Sequence, residues 1–447
     1  MAQRAFQRGT QERLKRDMIA TIFALSSGRL HAGIAIVRIS GPRSFRALTE
    51  MTTLPLPPVR NLVRRRLIDP RDDTTLDEAM VVAFAGPASA TGDNLVELHV
   101  HGGPAVLVAI FDVLGAMPEL RLAVPGEFTR RAFDNNKLDL AQAEGLADLI
   151  GAETESQRRQ ALRQAGGRLS DKVCGWRSTL IEVRADLEAT LDFADEDDVP
   201  AELTPDGRVR LETLVAEMAL VLADAGRGER LRDGLTVALT GAANTGKSSL
   251  FNALARRDVA IVSEEPGTTR DVIEVRLDLG GSAVTLLDTA GYRETIDPVE
   301  LEGLRRGRAR AADADLVIAI GASCASVADL LVVSKADETK IKAGWHEDAL
   351  YLSARTGEGI DELENWLADW ARDTLRSAEP ALITRERHRA AVASGAECIT
   401  VALTVADPVL IADLLRHATV SLDTVIGRVI GADDLLDSVF SRFCIGK

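Results

Sequence analysis

The chain is poor in cysteine and in aromatic residues, and it has no long apolar run. Aromatic residues make up 4% of its 447 positions, and no apolar stretch is long enough to cross a membrane, which argues against a membrane protein. The cysteines have neither the paired spacing of zinc or thioredoxin sites nor a secretory signal before them, so we expect a protein of the reducing cytoplasm. They are Cys174, Cys324, Cys398 and Cys444.

Basic residues are scarce relative to acidic ones. The chain has 53 Lys and Arg against 68 Asp and Glu, a formal net charge of −15. This charge argues against a protein that coats nucleic acid through its overall charge, so we expect any contact with RNA to involve a local basic surface. At roughly 100–200 residues per domain, we expect about three domains. Residues 1–16 are basic and polar and are predicted to form a disordered tail, with an organellar transit segment as the alternative.

A phosphate-binding loop stands near the middle of the chain. Residues 241–249 read Gly-Ala-Ala-Asn-Thr-Gly-Lys-Ser-Ser and follow the strand-like run 235–240, which is the setting that the G-x-x-x-x-G-K-[ST] pattern requires. In such a loop, backbone N–H groups surround nucleotide phosphates, the lysine reaches the outer phosphates, and the serine hydroxyl binds Mg²⁺. The predicted nucleotide contacts are Asn244, Thr245, Gly246, Lys247, Ser248 and Ser249.

Two more segments extend this site towards the γ-phosphate and the metal. Asp288, Thr289, Ala290 and Gly291 follow an apolar run, where the aspartate would face the Mg²⁺ shell. A polar, turn-prone segment before them is predicted to be a switch, whose Thr269 binds Mg²⁺ only when a γ-phosphate is present. The switch residues are Ser263, Glu264, Glu265, Pro266, Gly267, Thr268 and Thr269.

A base-binding pocket is predicted after two further strands. Polar residues follow the apolar runs at 329–333 and 350–352. An aspartate there accepts hydrogen bonds from the guanine N1–H and exocyclic amine, which adenine cannot supply. The expected nucleotide is therefore GTP. The predicted pocket residues are Ser334, Lys335, Asp337, Ser353 and Ala354.

Two positions depart from the usual GTPase pattern. Tyr292 stands where GTPases of the Ras type carry a water-orienting glutamine, and it cannot act as a general base at neutral pH. Ser334 replaces an asparagine that contacts the purine and braces the phosphate loop, and a serine is too short to do both. We expect nucleotide binding to be weaker by about 1–2 kcal/mol, with Asp337 preserving the choice of guanine.

The patterns predict a multidomain protein with α/β and α+β parts. Strands and helices alternate over residues 17–139, with strands expected at 32–39, 79–84 and 95–100. Long charged helices fill 140–232, and amphipathic helix returns over 376–447. Residues 233–375, the nucleotide module, are predicted to be a Ras-like α/β (P-loop) domain. We expect it to be inserted into one discontinuous all-α domain, with two unrelated helical domains as the alternative. Predicted core positions in the last helices are Leu414, Leu415, Val420, Leu422 and Val425.

Several longer motifs carry a family resemblance. They are Pro-Gly-Glu-Phe-Thr-Arg-Arg-Ala-Phe at 125–133, Lys-Leu-Asp-Leu-Ala-Gln-Ala-Glu at 137–144, Thr91-Gly92, the segment 96–103 and the terminal Phe-Cys-Ile-Gly-Lys. In this order along the chain they resemble the MnmE (TrmE) tRNA-modification GTPases. The resemblance runs from residue 17 to the last residue.

The resemblance implies a reaction. Members of this family act with the flavoprotein MnmG, on which FAD is expected, to add a carboxymethylaminomethyl or aminomethyl group to C5 of the wobble uridine of tRNA. The one-carbon donor is a 5-formyl- or 5,10-methylene-tetrahydrofolate, and the N-terminal domain binds folate and forms a homodimer. Basic groups suit the folate glutamate tail, and a carboxylate suits the pterin ring. The matching positions are Arg38, Glu97, Lys137 and Lys447.

The resemblance also implies a catalytic route without the glutamine. In the family, K⁺ takes the place of an arginine finger and promotes dimerisation of the nucleotide modules. The family's water-orienting glutamate falls on Glu300, for which an exposed acid at a helix start is the alternative. Cys444 is functionally important in the family, and a buried free thiol is the competing interpretation. The matching K⁺ positions are Asn244, Ser263, Glu265 and Thr268.

Departures from the family leave alternatives open. Residues 25–31 and 89–94 differ from the family's usual turns, which predicts an altered folate site, and residues 315–334 appear short by roughly one helix and turn. The leading hypothesis is the GTP-hydrolysing component of a tRNA wobble-uridine modification complex. The alternatives are a ribosome-assembly-type GTPase switch without folate chemistry and a folate-dependent transferase regulated by GTP.

Overall fold

The structure is a computed structural model that divides into two compact units, Met1–Ala147 with Ile426–Lys447 and Asp148–Val425. Residues 140–147 and 426–447 thus group with the first unit. The sequence assigned them to the helical domain. The two compact units are not the predicted domains, so the predicted domain boundaries stay a prediction. The residues that the structure describes are 20–28, 31–192, 203–242, 244–257, 259–261, 274–288, 313–321, 328–339, 341–377, 379–428, 433–441, 443 and 446.

The first unit is built on a six-stranded sheet in the order β3-β4-β5-β2-β1-β6. The pairs are antiparallel except for β1 with β6. The strands predicted around residues 32–39, 79–84 and 95–100 are confirmed as β2, β4 and β5, while the other three strands were not predicted. The strands are β1 Thr21–Leu25, β2 Ala32–Ser40, β3 Val63–Ile68, β4 Thr75–Phe84, β5 Leu95–Gly102 and β6 Leu120–Leu122.

Two helices, Ser44–Thr52 and Pro104–Ala116, share a hydrophobic core with this sheet. Alternate strand residues such as Val37 and Ile39 are fully buried in that core, as expected for strands with one face covered. The second helix has Pro104 in its first turn, where the missing N–H leaves no helical hydrogen bond unmade. The first unit is therefore the predicted α+β fold.

The C-terminal residues pack within the first unit. Helix Asp433–Phe440 contacts helix Glu127–Asp134, and the rings of Phe133 and Phe440 lie 6.0 Å apart. Leu140, Ala143, Phe440 and Phe443 form a small buried cluster. Phe443, the first residue of the terminal motif, thus packs in the same cluster as Phe133 of the motif at residues 125–133.

The second unit contains an eight-stranded sheet in the order β13-β14-β12-β11-β7-β10-β9-β8. Its five central strands β14, β12, β11, β7 and β10 pair in parallel, and the outer pairs are antiparallel. Helices Lys247–Ala255 and Ile360–Leu375 join its hydrophobic core. This confirms the predicted α/β nucleotide-binding fold. The strands are β7 Leu235–Thr240, β8 Ala260–Ile261, β9 Glu274–Leu279, β10 Ser282–Asp288, β11 Leu316–Ile320, β12 Leu330–Val333, β13 Gly344–His346 and β14 Ala349–Tyr351.

The connection between β11 and β12 is short. Only residues 321–329 join these two neighbouring parallel strands, and residues 322–327 among them lie outside the described part. A parallel crossover normally needs about a dozen residues or more, usually with a helix. The spacing agrees with the shortening that the sequence predicted.

The remaining helices of the second unit come from both sides of the nucleotide module. Arg177 on one side donates through Nε to Asp423 on the other at 2.7 Å, and Arg208 donates to the Leu403 carbonyl at 2.9 Å. None of the helices in the described part is both long and apolar enough to cross a membrane. The helices are Glu155–Ala165, Arg168–Asp192, Pro205–Ala223, Ala225–Asp233, Glu386–Ala402 and Pro408–Ile426.

One predicted core position in the last of these helices is wrong. Leu415, Leu422 and Val425 are buried, and Leu414 is partly buried, but Val420 is 42% exposed. Residues spaced by three or four positions share one helix face, and Val420 lies out of step with that series. Its side chain consequently points to the opposite face.

Candidate functional site

The phosphate loop leaves β7 at Thr240 and leads into the helix that begins at Lys247. Gly241 and Gly246 have φ angles of +152° and +93°, a region that side chains strongly disfavour. A Cβ on Gly241 would also lie 2.5 Å from the carbonyl oxygen of Ile320 at the end of β11. Both glycines are thus required by the path of the backbone.

Lys247 is buried within this loop, with 5% of its surface exposed. Its Nζ donates to the carbonyl oxygens of Gly241 and Ala242 at 2.8 and 2.7 Å. The ammonium group therefore lies inside the curve of the loop, where the phosphates of a nucleotide would meet it.

Ser248 and Asp288 place two oxygens at the other side of the loop. The Ser248 hydroxyl lies 3.4 Å from Asp288 Oδ2, and Asp288 is buried at the end of β10. A hydroxyl and a carboxylate are oxygen donors that suit Mg²⁺, which normally completes its shell with substrate phosphates and water. These two donors fit an ion that is shared with a nucleotide. Among the described residues, no group of three or more His, Cys, Asp or Glu side chains is placed to hold a metal ion.

Asp337 is held from two sides. Ser353 Oγ donates to Asp337 Oδ1 at 2.6 Å, and Arg355 Nη2 lies 2.5 Å from Oδ2. The hydrogen bond from Ser353, together with Arg355, holds the pKa of the Asp337 carboxyl below its usual range. The group thus stays an ionised acceptor at neutral pH. Sequence reasoning missed Arg355, because its role depends on where the loop after β14 turns.

Ser334 contacts the phosphate loop. Its hydroxyl donates to the carbonyl oxygen of Thr245, and a Cβ added to Gly246 would lie 2.9 Å from Ser334 Oγ. Lys335 follows with a φ of +60°, and Ala354 packs against the core of the nucleotide module. Of the two tasks that an asparagine would perform here, Ser334 therefore performs the bracing one.

The first unit holds a second cluster of predicted site residues. Arg38 on β2 and Glu97 on β5 are direct register partners, and Arg38 donates through Nη2 and Nε to Glu97 Oε1 at 2.8 and 3.1 Å. The guanidinium also lies 5.9 Å from the centre of the Phe128 ring. His99 Nε2 lies 3.4 Å from the other oxygen of Glu97, and sequence reasoning missed this histidine because its strand position alone carries no signal of function.

The motifs of the first unit contact one another around this cluster. Thr91 Oγ1 lies 2.7 Å from Ser40 Oγ at the end of β2. Asn135 Nδ2 donates to the Thr91 carbonyl at 2.8 Å, and Arg131 Nη2 donates to the Ala20 carbonyl at 2.7 Å. The turn at 89–94 is thus held between the end of β2 and Asn135, the residue that follows helix Glu127–Asp134.

The chain end also reaches this part of the unit. Ser26 Oγ donates to the Gly446 carbonyl at 2.7 Å, and Gly446 packs so closely on Leu25 that a Cβ would overlap the Leu25 carbonyl. Leu25 pairs with Val37, the residue before Arg38. Lys137 has an exposed side chain.

Other predicted site residues lie outside the described part of the chain, so their positions stay predictions. They are Ser263, Glu264, Glu265, Pro266, Gly267, Thr268, Thr269, Thr289, Ala290, Gly291, Tyr292, Glu300, Cys444 and Lys447.

Comparison with known families explains why the two clusters occur in one chain. The family described as the MnmE helical domain matches residues 140–444, and the one described as the GTP-binding protein TrmE N-terminus matches residues 21–137. The chain belongs to the MnmE (TrmE) family.

Curated relatives agree with this assignment over nearly the whole length. The tRNA modification GTPase MnmE of Bradyrhizobium sp. (strain ORS 278) is 51% identical over 441 residues, which cover 96% of this chain and 99% of the relative. The MnmE of Azorhizobium caulinodans is 49% identical over 436 residues with the same coverage of each chain. Among solved structures, the G domain of the T. maritima FeoB iron transporter is 28% identical, covers 31% of this chain and 98% of that chain, and has a TM-score of 0.22.

Proposed function

We propose that this MnmE-family chain is the GTP-hydrolysing component of the tRNA wobble-uridine C5 modification complex. It acts on tRNA together with the flavoprotein MnmG and a tetrahydrofolate one-carbon donor, as a homodimer in the cytoplasm. The observation that carries the GTPase part is the set of side chains at the ends of β7, β10, β12 and β14, with Lys247 in the phosphate loop and Asp337 braced by Ser353 and Arg355.

The nucleotide module performs the hydrolysis. The loop backbone and Lys247 would bind the β- and γ-phosphates, and Ser248 and Asp288, with Thr269, would hold Mg²⁺. The ion, when bound, neutralises charge on the phosphates. Asp337 selects guanine by accepting from its N1–H and 2-amino group.

Water activation depends on residues other than a glutamine. Glu300 would orient the attacking water. Asn244, Ser263, Glu265 and Thr268 would hold a K⁺ ion, which would supply positive charge to the phosphates. The test is GTP hydrolysis by the full chain in KCl against NaCl at equal ionic strength, for the natural protein and for Glu300→Ala. We expect hydrolysis by the natural protein to depend strongly on K⁺, and Glu300→Ala to lose rate. The matched control is Glu362→Ala, at an exposed position, which should keep the natural rate. Equal rates in both salts contradict the K⁺ route.

The first unit is proposed to bind folate and to form the homodimer. Support comes from the Arg38–Glu97 pair beside the ring of Phe128, and from the chain end lying against β1. Glu97 would bind the pterin ring with Arg38 as its ion-pair partner, while Lys137 and Lys447 would pair with carboxylates of the glutamate tail.

Calorimetric binding of 5-formyl-tetrahydrofolate tests this part. We expect Arg38→Ala to abolish binding, and the control Arg46→Ala to leave it intact, because Arg46 is exposed and pairs only locally with Glu50. Absence of folate binding by the natural chain would favour the ribosome-assembly-type switch instead. Modification of wobble uridine in the presence of MnmG then tests the complete reaction.

Helices on both sides of the nucleotide module are proposed to form one discontinuous helical domain. Gln160 donates to the Ala381 carbonyl at 2.7 Å, and Arg177 pairs with Asp423, so contacts join residues before and after the module. Such an insertion would let the nucleotide state shift the flanking helices.

A further inference from the structure

The hydroxyl of Ser334 has one hydrogen, and the structure shows where that hydrogen goes. Ser334 Oγ donates to the backbone carbonyl of Thr245 in the phosphate loop. A carbonyl oxygen has no hydrogen of its own, so Ser334 must be the donor in this contact. Gly246 leaves the space for this contact, because a Cβ added there would come within 2.9 Å of Ser334 Oγ.

Guanine presents acceptors on one edge and donors on another. Its N7 and O6 accept hydrogen bonds, whereas N1–H and the 2-amino group donate them. An asparagine at position 334 has two amide hydrogens and an oxygen, which are enough for both the loop and N7. Ser334 has given its only hydrogen to Thr245, and thus has none left to donate to N7.

The N1–H and 2-amino edge of guanine would meet the carboxylate of Asp337. Each oxygen of Asp337 has its own partner, Ser353 on Oδ1 and Arg355 on Oδ2. A carboxylate has about four lone pairs, so the contacts from Ser353, from Arg355 and from the backbone N–H of Asp337 itself still leave room for the base. Arg355 has 78% of its side chain exposed, which shows that it stays at Asp337 through this ion pair and not through burial.

We propose that this pocket reads guanine at its N1–H and 2-amino edge and not at N7. Asp337 is the reader, Arg355 is its positioning residue, and N7 is unread because Ser334 is committed to the phosphate loop. This rests on the proposed GTP binding and adds a substrate class to it: guanine nucleotides altered at N7 are accepted as well as GTP. Inosine nucleotides, which lack the 2-amino group, are discriminated against.

Equilibrium binding of GDP, 7-deaza-GDP and IDP to the full-length protein tests the proposal. In the natural chain we expect 7-deaza-GDP to bind within about twofold of GDP, because no hydrogen bond to N7 is lost. Ser334→Ala should weaken both ligands equally and leave their ratio unchanged. Ser334→Asn should create a preference for GDP over 7-deaza-GDP of about tenfold, since its amide supplies the missing donor.

The same ligands test Arg355. The natural chain should prefer GDP to IDP by about tenfold or more, and Arg355→Ala should narrow that preference by about fivefold because the carboxylate loses its orientation. Arg355→Lys should restore part of the preference. The matched control is Arg372→Ala, another exposed arginine of the nucleotide module, which pairs with Asp369 and should leave the preference unchanged. The ratio of the affinities for GDP and IDP does not change when a variant is merely less stable, because both affinities then fall together.

Three results overturn the proposal. The first is a natural chain that prefers GDP to 7-deaza-GDP tenfold, with Ser334→Ala removing the preference. The second is a Ser334→Asn variant that gains no preference. The third is an unchanged ratio of GDP to IDP in Arg355→Ala. If the natural chain binds no guanine nucleotide at all, both this proposal and the proposed GTPase function fail. The three results above overturn only the proposal on base recognition, so the two kinds of failure are distinguishable.

Discussion

The backbone of Phe440 lies so close to Gly126 that no side chain would fit at position 126. A Cβ at Gly126 would overlap the carbonyl oxygen of Phe440, and the backbone there has a φ of +69°. The glycine of the motif at 125–133 is thus explained by the terminal helix Asp433–Phe440 packing onto it. The contact joins this motif to a helix that lies about 300 residues further along the chain.

Gly126→Ala should destabilise the protein by about 3 kcal/mol, because strain at a positive φ adds to a steric overlap with backbone that cannot move aside. The free energy of unfolding in urea measures the effect. Gly115→Ala is the control within the same unit, since its Cβ would meet only Phe23 at an ordinary 3.9 Å. A helical Gly→Ala change there should be neutral or stabilising by up to about 1 kcal/mol. Equal effects of the two changes would contradict this explanation.

The sequence was most informative where local pattern determines structure. The run 235–240 matches β7, and the phosphate loop follows it at residue 241, because the glycines and the lysine have their roles within one strand–loop–helix unit. By contrast β6, only Leu120–Leu122, was not predicted. A strand of three residues is defined by its pairing with β1, which no local pattern shows.

Side-chain partners that depend on tertiary contacts could not be predicted. Arg355 and His99 both lie beside predicted residues, Asp337 and Glu97, yet neither belongs to a pattern of spacing. The family resemblance supplied Arg38, but its pairing with Glu97 follows only from the register of β2 and β5. The candidate sites were thus predictable as single residues, and their supporting contacts required the structure.

Lys247→Ala should lower the rate of GTP hydrolysis by about 10²-fold or more, because it removes the charge that the loop directs at the outer phosphates. Release of phosphate at saturating GTP measures this rate. Lys342→Ala is the matched control, since Lys342 has an exposed side chain, and it should retain the natural rate. A Lys247→Ala variant with natural activity would show that the loop does not hold the hydrolysed nucleotide.

Glu127→Gln should reduce stability in a pH-dependent way. Burial raises the pKa of Glu127, but hydrogen bonds from Arg121 and the Val124 N–H and the nearby charge of Arg131 outweigh it, so the pKa falls below its ordinary value of 4.5. A carboxyl with a lowered pKa contributes stability above its unfolded-state value and loses that contribution as the pH falls through its folded-state value. Glu127→Gln should therefore cost about 2 kcal/mol at pH 7, and less below about pH 4.5.

Urea unfolding at pH 7, 5 and 4 compares Glu127→Gln with the natural chain. Glu50→Gln is the control, because Glu50 forms a more exposed pair with Arg46 one helical turn away, and such pairs contribute about 0.5 kcal/mol or less. A constant difference between Glu127→Gln and the natural chain across these pH values would mean that the charge on Glu127 is not the source of its contribution.

Arg385 and Asp148 form a shielded ion pair at 2.5 Å, with 12% and 18% of their side chains exposed. Asp148→Leu alone should cost about 3 kcal/mol, because the guanidinium is left shielded from water without this carboxylate. The double change Asp148→Leu with Arg385→Met should cost less than the single one, since two apolar side chains can then pack together. The free energy of unfolding of all four members of the cycle measures the coupling between them.

The exposed pair Arg416 and Asp413 is the control, with an expected coupling of about 0.5 kcal/mol or less. Additive costs at Arg385 and Asp148 would show that the desolvation of these charges, and not their pairing, determines the stability of this contact.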